Sequence, residues 1–152
     1  MISKLHFTKC SGRTQRGFTL IELLFVVTII GIIASIAVPG LQKVRRYANS
    51  GSAIQSLRTI TSAQYMYERT HKVYATINTL YTQGLIHGDL SDGYKSGYIF
   101  VIELGPTSKT FKCTATPDSD AGLQDYFFVD ETGVIRYNTG GPADATSNPI
   151  AR

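Results

Sequence analysis

The sequence predicts an α+β fold: a long N-terminal helix, its first half transmembrane, packed by its second half against a small antiparallel β-sheet head. Three observations lead there. Residues 18–38 form an apolar run whose only ionisable member is Glu22. Apolar residues then recur every three or four positions as far as Arg69, which is helical spacing. Beyond residue 97, short stretches alternate apolar and polar side chains between turn-rich segments, as half-buried strands do.

The first element, residues 1–17, reads as a leader that is removed. It holds Lys4, Lys9, Arg13 and Arg16 and no acid, so four of the fifteen Lys and Arg residues lie here. The remaining eleven face all eleven acids, and the formal charge of +4 belongs to the leader alone. A near-neutral mature chain disfavours an electrostatic nucleic-acid binder, and no specific nucleic acid is expected. Cys10 sits in the leader, which leaves Cys113 as one thiol with no internal partner. Cys113 reads as a small buried apolar residue on a strand.

The second element, residues 18–69, is one long helix. At about 1.5 Å per residue the 18–38 segment spans roughly 30 Å, the thickness of a bilayer's hydrocarbon core. That is too long for the apolar part of a secretory signal. The best processing mark, Gly17, precedes the run, so the span is retained and the cut falls on the side of the basic residues. Four cations before the span against Lys43, Arg45 and Arg46 after it give only a weak charge bias for orientation.

Glu22 is the informative residue. A charged group inside a membrane helix costs about 2.5–3.5 kcal/mol at the centre, so such groups usually have a partner. Lying one turn from Phe18, it also benefits from the positive end of its own helix. A cut after Gly17 would free an α-amino group on Phe18 that is largely cationic near neutral pH. In a bundle of such helices, the carboxylate of one copy can neutralise the amine of the next, and a missing partner is costly.

The stretch RGFTLIELLFVVTIIGIIASIAVP (16–39) resembles the N-terminus of type IV prepilins and type II secretion pseudopilins. The resemblance implies cleavage by prepilin peptidase between Gly17 and Phe18, N-methylation of Phe18, and an assembly role for Glu22. It also implies a homo-polymer with other copies and minor pilins, built by an inner-membrane assembly platform. The subunit would be single-pass in the bacterial inner membrane with its head in the periplasm, then part of a pilus or periplasmic pseudopilus. Gly31, Pro39 and Gly40 are the weak points of the helix, and family resemblance implies a helix-melting hinge there.

Past the span, Leu41, Val44, Ala48, Gly51, Ile54, Leu57, Ile60, Ala63 and Tyr67 form one stripe that needs a surface to cover it. The head, residues 70–152, opens with a short helix between Thr76 as N-cap and Gly84 as stop. Strands are predicted at 97–104, with Tyr98, Phe100, Ile102 and Leu104 on one face, and at 110–117, with Phe111, Cys113 and Ala115. A hairpin follows, 126–129 and 134–137 around a turn at 130–133. The tail from Asn138 has too few large apolar residues to fold alone and should lie over the sheet or be mobile.

No catalytic constellation, cofactor motif or metal-ligand spacing emerges, so an enzyme is not expected. The loop at 118–125 offers Asp118, Asp120 and Asp125, yet the EF-hand pattern fails, with Val129 where its closing glutamate belongs. His71 and His87 read as loop surface. Arg45 and Arg46 read as a solvated helix face that can meet anionic headgroups. Tyr65, Tyr74 and Tyr81 are candidate subunit contacts. The missing calcium pattern and the tyrosine-rich head favour a type IV pilus subunit over the alternative, a pseudopilin of a type II secretion system.

Overall fold

The computed structural model describes residues 17–118 and 124–150, and the leader as far as Arg16 lies outside the described residues. Two compact units are distinguished, one ending at Gly40 and the other starting at Leu41. Helix α1, Leu20–His71, contributes to both. In the first unit it is fully exposed along its length. It is continuous through Gly31, Pro39 and Gly40.

The second unit is built on residues 41–71 of α1. Ala53, Leu57, Ile60 and Ala63 are buried there at three- and four-residue spacing. The helix ends when Lys72 turns to φ 62, and the Lys109 ammonium donates to the Lys72 carbonyl at 2.6 Å. A short helix α2, Ile77–Thr82, follows. Thr76 caps it as predicted, its hydroxyl accepting from the Thr79 amide.

Among the described residues six strands form one antiparallel meander: β1 (Tyr94–Lys95), β2 (Tyr98–Leu104), β3 (Phe111–Pro117), β4 (Asp125–Asp130), β5 (Arg136–Thr139) and β6 (Asn148–Pro149). Register places Phe100 opposite Ala115, and Ala115 opposite Phe127. Cys113 sits between Ile102 and Val129 in the same way. These residues, with Tyr98 and Phe111, close over Leu57, Ile60 and Leu80 to make the core. The predicted faces of β2 and β3 are therefore the observed ones.

Three details differ from expectation. The β4–β5 hairpin is looser, and β5 starts at Arg136 instead of Val134. The reason is Gly133 at φ +73, whose missing Cβ would sit 2.7 Å from the Tyr65 hydroxyl. That hydroxyl donates to the Glu131 carbonyl at 3.1 Å, fastening the turn to α1. The other two differences are β1 and β6, pairs of residues too short to carry a periodic signal. The tail does lie on the sheet. Arg136 Nη1 donates to the Ser147 carbonyl and Asn138 Nδ2 to the Pro142 carbonyl, while Ala143 is buried.

Gln64 holds the loop between the two helices. It is completely buried; its amide donates to the Ala75 carbonyl at 2.6 Å and accepts from the Ala75 amide at 2.9 Å. One side chain thus satisfies both polar groups of a buried backbone unit. A glutamine at stripe spacing after Leu57 and Ile60 was the available signal.

Candidate functional site

The site is the start of α1. Gly17 and Phe18 precede the helix and are exposed, Phe18 to 79%. Among the described residues nothing lies within 4 Å of where a Cβ on Gly17 would stand. Thr19 then caps the helix, its Oγ1 accepting from the Glu22 amide at 3.2 Å. Thr19-Leu20-Ile21-Glu22 is the spacing of a capping box, with Glu22 at its third helical position. That spacing was readable in the sequence, and the half of the box seen here is the Thr19 cap on the Glu22 amide.

The polar side chains of the apolar run are few and nearly all satisfied within the helix. The Thr28 hydroxyl donates to the Leu24 carbonyl at 2.7 Å, and the Ser35 hydroxyl to the Ile32 carbonyl at 2.7 Å. Back-bonding of this kind hides hydroxyls from hydrocarbon. Glu22 is the exception. Among the described residues its carboxylate takes no ion pair, and the hydrogen bond at this residue uses its backbone amide. It stands one turn from Phe18 on an otherwise apolar surface, where Leu20, Ile21, Leu23, Leu24 and Phe25 are all exposed. By length and composition α1 can cross a membrane.

Elsewhere the candidates resolve into structural roles. Cys113 is fully buried, and burial pushes its thiol up to about 12, which keeps it protonated and unreactive. His71 stacks on Tyr67 with ring centroids 4.0 Å apart. Tyr65 fastens the hairpin and Tyr74 packs against Phe111 at 4.7 Å, so both act within the subunit. Tyr81 remains 44% exposed. Of the acidic loop, positions 119–123 lie outside the described residues. A groove of about 470 Å³ gathers Glu103, Asp130 and Glu131, with the Lys112 ammonium 2.9 Å from Glu103. Among the described residues, no group of three His, Cys, Asp or Glu could hold a metal ion.

Residues 12–38 match the model of the prokaryotic N-terminal methylation motif. The chain is 31% identical over 93 residues to type II secretion system core protein G of Pectobacterium carotovorum subsp. carotovorum, covering 59% of this chain and 60% of that one. Core protein G of Escherichia coli K12 is 38% identical over 64 residues, 42% of this chain and 44% of that one. The chain carries the methylation motif and is similar to proteins of the pilin and pseudopilin family. The type IV wide pilus major component PilA4 of Thermus thermophilus is also similar, 38% identical over 64 residues, 42% of this chain and 49% of that one. The chain spans about half the length of the curated relatives it matches. An exposed glycine before an apolar helix, and a carboxylate one turn inside it without an ion pair among the described residues, both fall within the matched methylation motif.

Proposed function

We propose that this chain is a pseudopilin of a type II protein secretion system, a structural subunit of a periplasmic filament. Prepilin peptidase cuts between Gly17 and Phe18, Phe18 is methylated, and residues 18–38 anchor the subunit in the inner membrane until it polymerises. The observation that carries the polymer reading is the Glu22 carboxylate, which has no ion pair among the described residues, on a helix whose hydroxyls are bonded to its own backbone or cap. Such a group is costly in lipid, and the freed amine of an adjoining copy neutralises it. Copies related by a screw axis meet head-to-tail, so the contact need not close and a filament results.

The relatives reverse the order suggested by the sequence, which ranked a surface pilus first. They are mostly named core protein G of type II secretion. The pilus remains the second reading because PilA4 is similar over a comparable stretch. Deletion of the gene separates the two. Loss of exoprotein release with surface fibres unchanged supports the secretion filament; loss of surface fibres with normal release reverses the assignment. In either filament, Gly31, Pro39 and Gly40 are where helix hydrogen bonds would open. Hydrogen exchange in assembled filaments tests this, and amides 31–39 as protected as their neighbours would refute it.

A further inference from the structure

Charge is unevenly distributed along the second unit. From Leu41 to residue 67 the chain carries Lys43, Arg45, Arg46 and Arg58 and no acid. From Glu68 onward it carries ten acids against seven bases. Lys43, Arg46, Tyr47 and Ser50 follow one another at three- and four-residue spacing and so share one face of α1. They form one wall of a groove of about 330 Å³ whose other wall is Gln124, Asp125 and Thr139. Among the described residues neither Lys43 nor Arg46 forms an ion pair, the two that exist being Lys95–Asp89 and Lys112–Glu103. Asp125 is committed to the far wall, accepting from the Thr139 hydroxyl at 2.8 Å.

We infer that this groove holds the headgroup of an anionic glycerophospholipid, its phosphate against Lys43 and Arg46. The inference rests on the reading of residues 18–38 as a membrane span. Two observations favour lipid over an acidic surface of a second copy. Lys43 follows Val38, the last residue of the apolar run, by five positions, which at 1.5 Å per helical residue is about 7.5 Å. The headgroup layer beyond the hydrocarbon core is about 5–8 Å deep on each side. Tyr47 is 74% exposed in the same groove, and a tyrosine with an apolar ring and a polar tip suits that interface. A headgroup bearing hydroxyls fits the opposite wall, where Asp125 and the Gln124 side-chain carbonyl can accept from it. Phosphatidylglycerol combines both features. Lipid held there would fix the depth and rotation of the subunit before assembly, and must leave when neighbouring copies take its place.

The test uses the full chain in vesicles of phosphatidylcholine with and without phosphatidylglycerol, followed by mild extraction and measurement of the ratio of the two lipids retained. Phosphatidylglycerol should be enriched on the unaltered chain. Replacing Lys43→Gln and Arg46→Gln together should lower the enrichment about twenty-five-fold, at about fivefold per cation, while Arg58→Gln, outside the groove, changes nothing. All three side chains are exposed, so the far-ultraviolet dichroism of the variants should match the unaltered chain. Undiminished enrichment in the double variant overturns the proposal. So does equal competition by inorganic phosphate, which would make the groove a free-anion site. Weaker self-association of the double variant in pure phosphatidylcholine, with enrichment intact, would make it an interface between copies. Failure of the unaltered chain to float with phosphatidylcholine vesicles at all would instead sink the membrane-span reading on which the inference stands.

Discussion

Leu24 and Leu57 are the same side chain on the same helix, yet the first is 58% exposed and the second completely buried. Residues 18–40 keep their apolar side chains exposed, as do Leu41 and Val44, whereas from Ala53 onward the apolar positions of the helix stripe turn inward. The second region covers its stripe from Ala53 to Ala63 with its own sheet, and Leu57, Ile60, Tyr98 and Phe111 are buried there. The first region leaves Phe18, Leu20, Ile21 and their successors bare. A single chain has no reason to keep such a surface in water. Its covering must come from lipid or from other copies, and the comparison tells which residues fold the subunit and which join it to something else.

The comparison breaks most visibly at Glu22. Glu22→Leu should leave the unfolding of the second region unchanged while filament yield falls about a hundredfold, the scale of a broken buried pair at about 3 kcal/mol. Normal yield in sheared or cross-linked preparations would remove the intermolecular account of this carboxylate. Leu57→Ala should do the opposite, costing about 2–5 kcal/mol in urea unfolding, whereas Leu24→Ala should leave the unfolding midpoint where it was. Gln64→Leu strands the Ala75 amide and carbonyl in the core and should cost about 2–3 kcal/mol. A smaller effect, about 1–2 kcal/mol, is expected for Gly133→Ala, from its positive φ and the Tyr65 hydroxyl 2.7 Å from the new Cβ. Adding Tyr65→Phe should relieve the second cause and not the first.

The last effect is confined to alkaline solution and concerns Cys113. Its thiol is raised from 9.0 to about 12 by burial, so above pH 9 the unfolded chain releases a proton that the folded chain retains. Stability should therefore fall as pH rises from about 9 toward 12, and Cys113→Ser should flatten that slope. Alkylation at pH 8 should require unfolding. Rapid labelling of the native chain would contradict the burial of this strand.

What could be read from the sequence depended on how far each signal extends. The span, the stripe through Leu57 and Ile60, and the alternating faces of β2 and β3 repeat over several residues and were legible. The limits of α1 shifted by only two residues at each end, Leu20–His71 against 18–69. By contrast, β1 and β6 are two residues each and exist only because neighbouring strands offer them hydrogen bonds. The start of β5 depended on a contact between Gly133 and Tyr65, far apart in sequence. At the site, Gly17, Phe18 and Glu22 stood out from the methylation-like motif. The capping spacing from Thr19 was equally visible and was overshadowed by the charge. The groove at Lys43 and Arg46 needed Gln124, Asp125 and Thr139 brought to it by the fold, and only its cationic half was legible.

The brevity of the outermost strands has a consequence for life in a crowd. A sheet rim with a long free row of amides and carbonyls invites foreign strands to zip onto it, the first step toward cross-β deposits. Here one rim is two residues long and carries Lys95, tied to Asp89 at 2.6 Å. The other is also two residues long and ends in Pro149, which has no amide to offer. Both outermost strands of the described sheet thus offer a foreign strand few backbone groups to pair with.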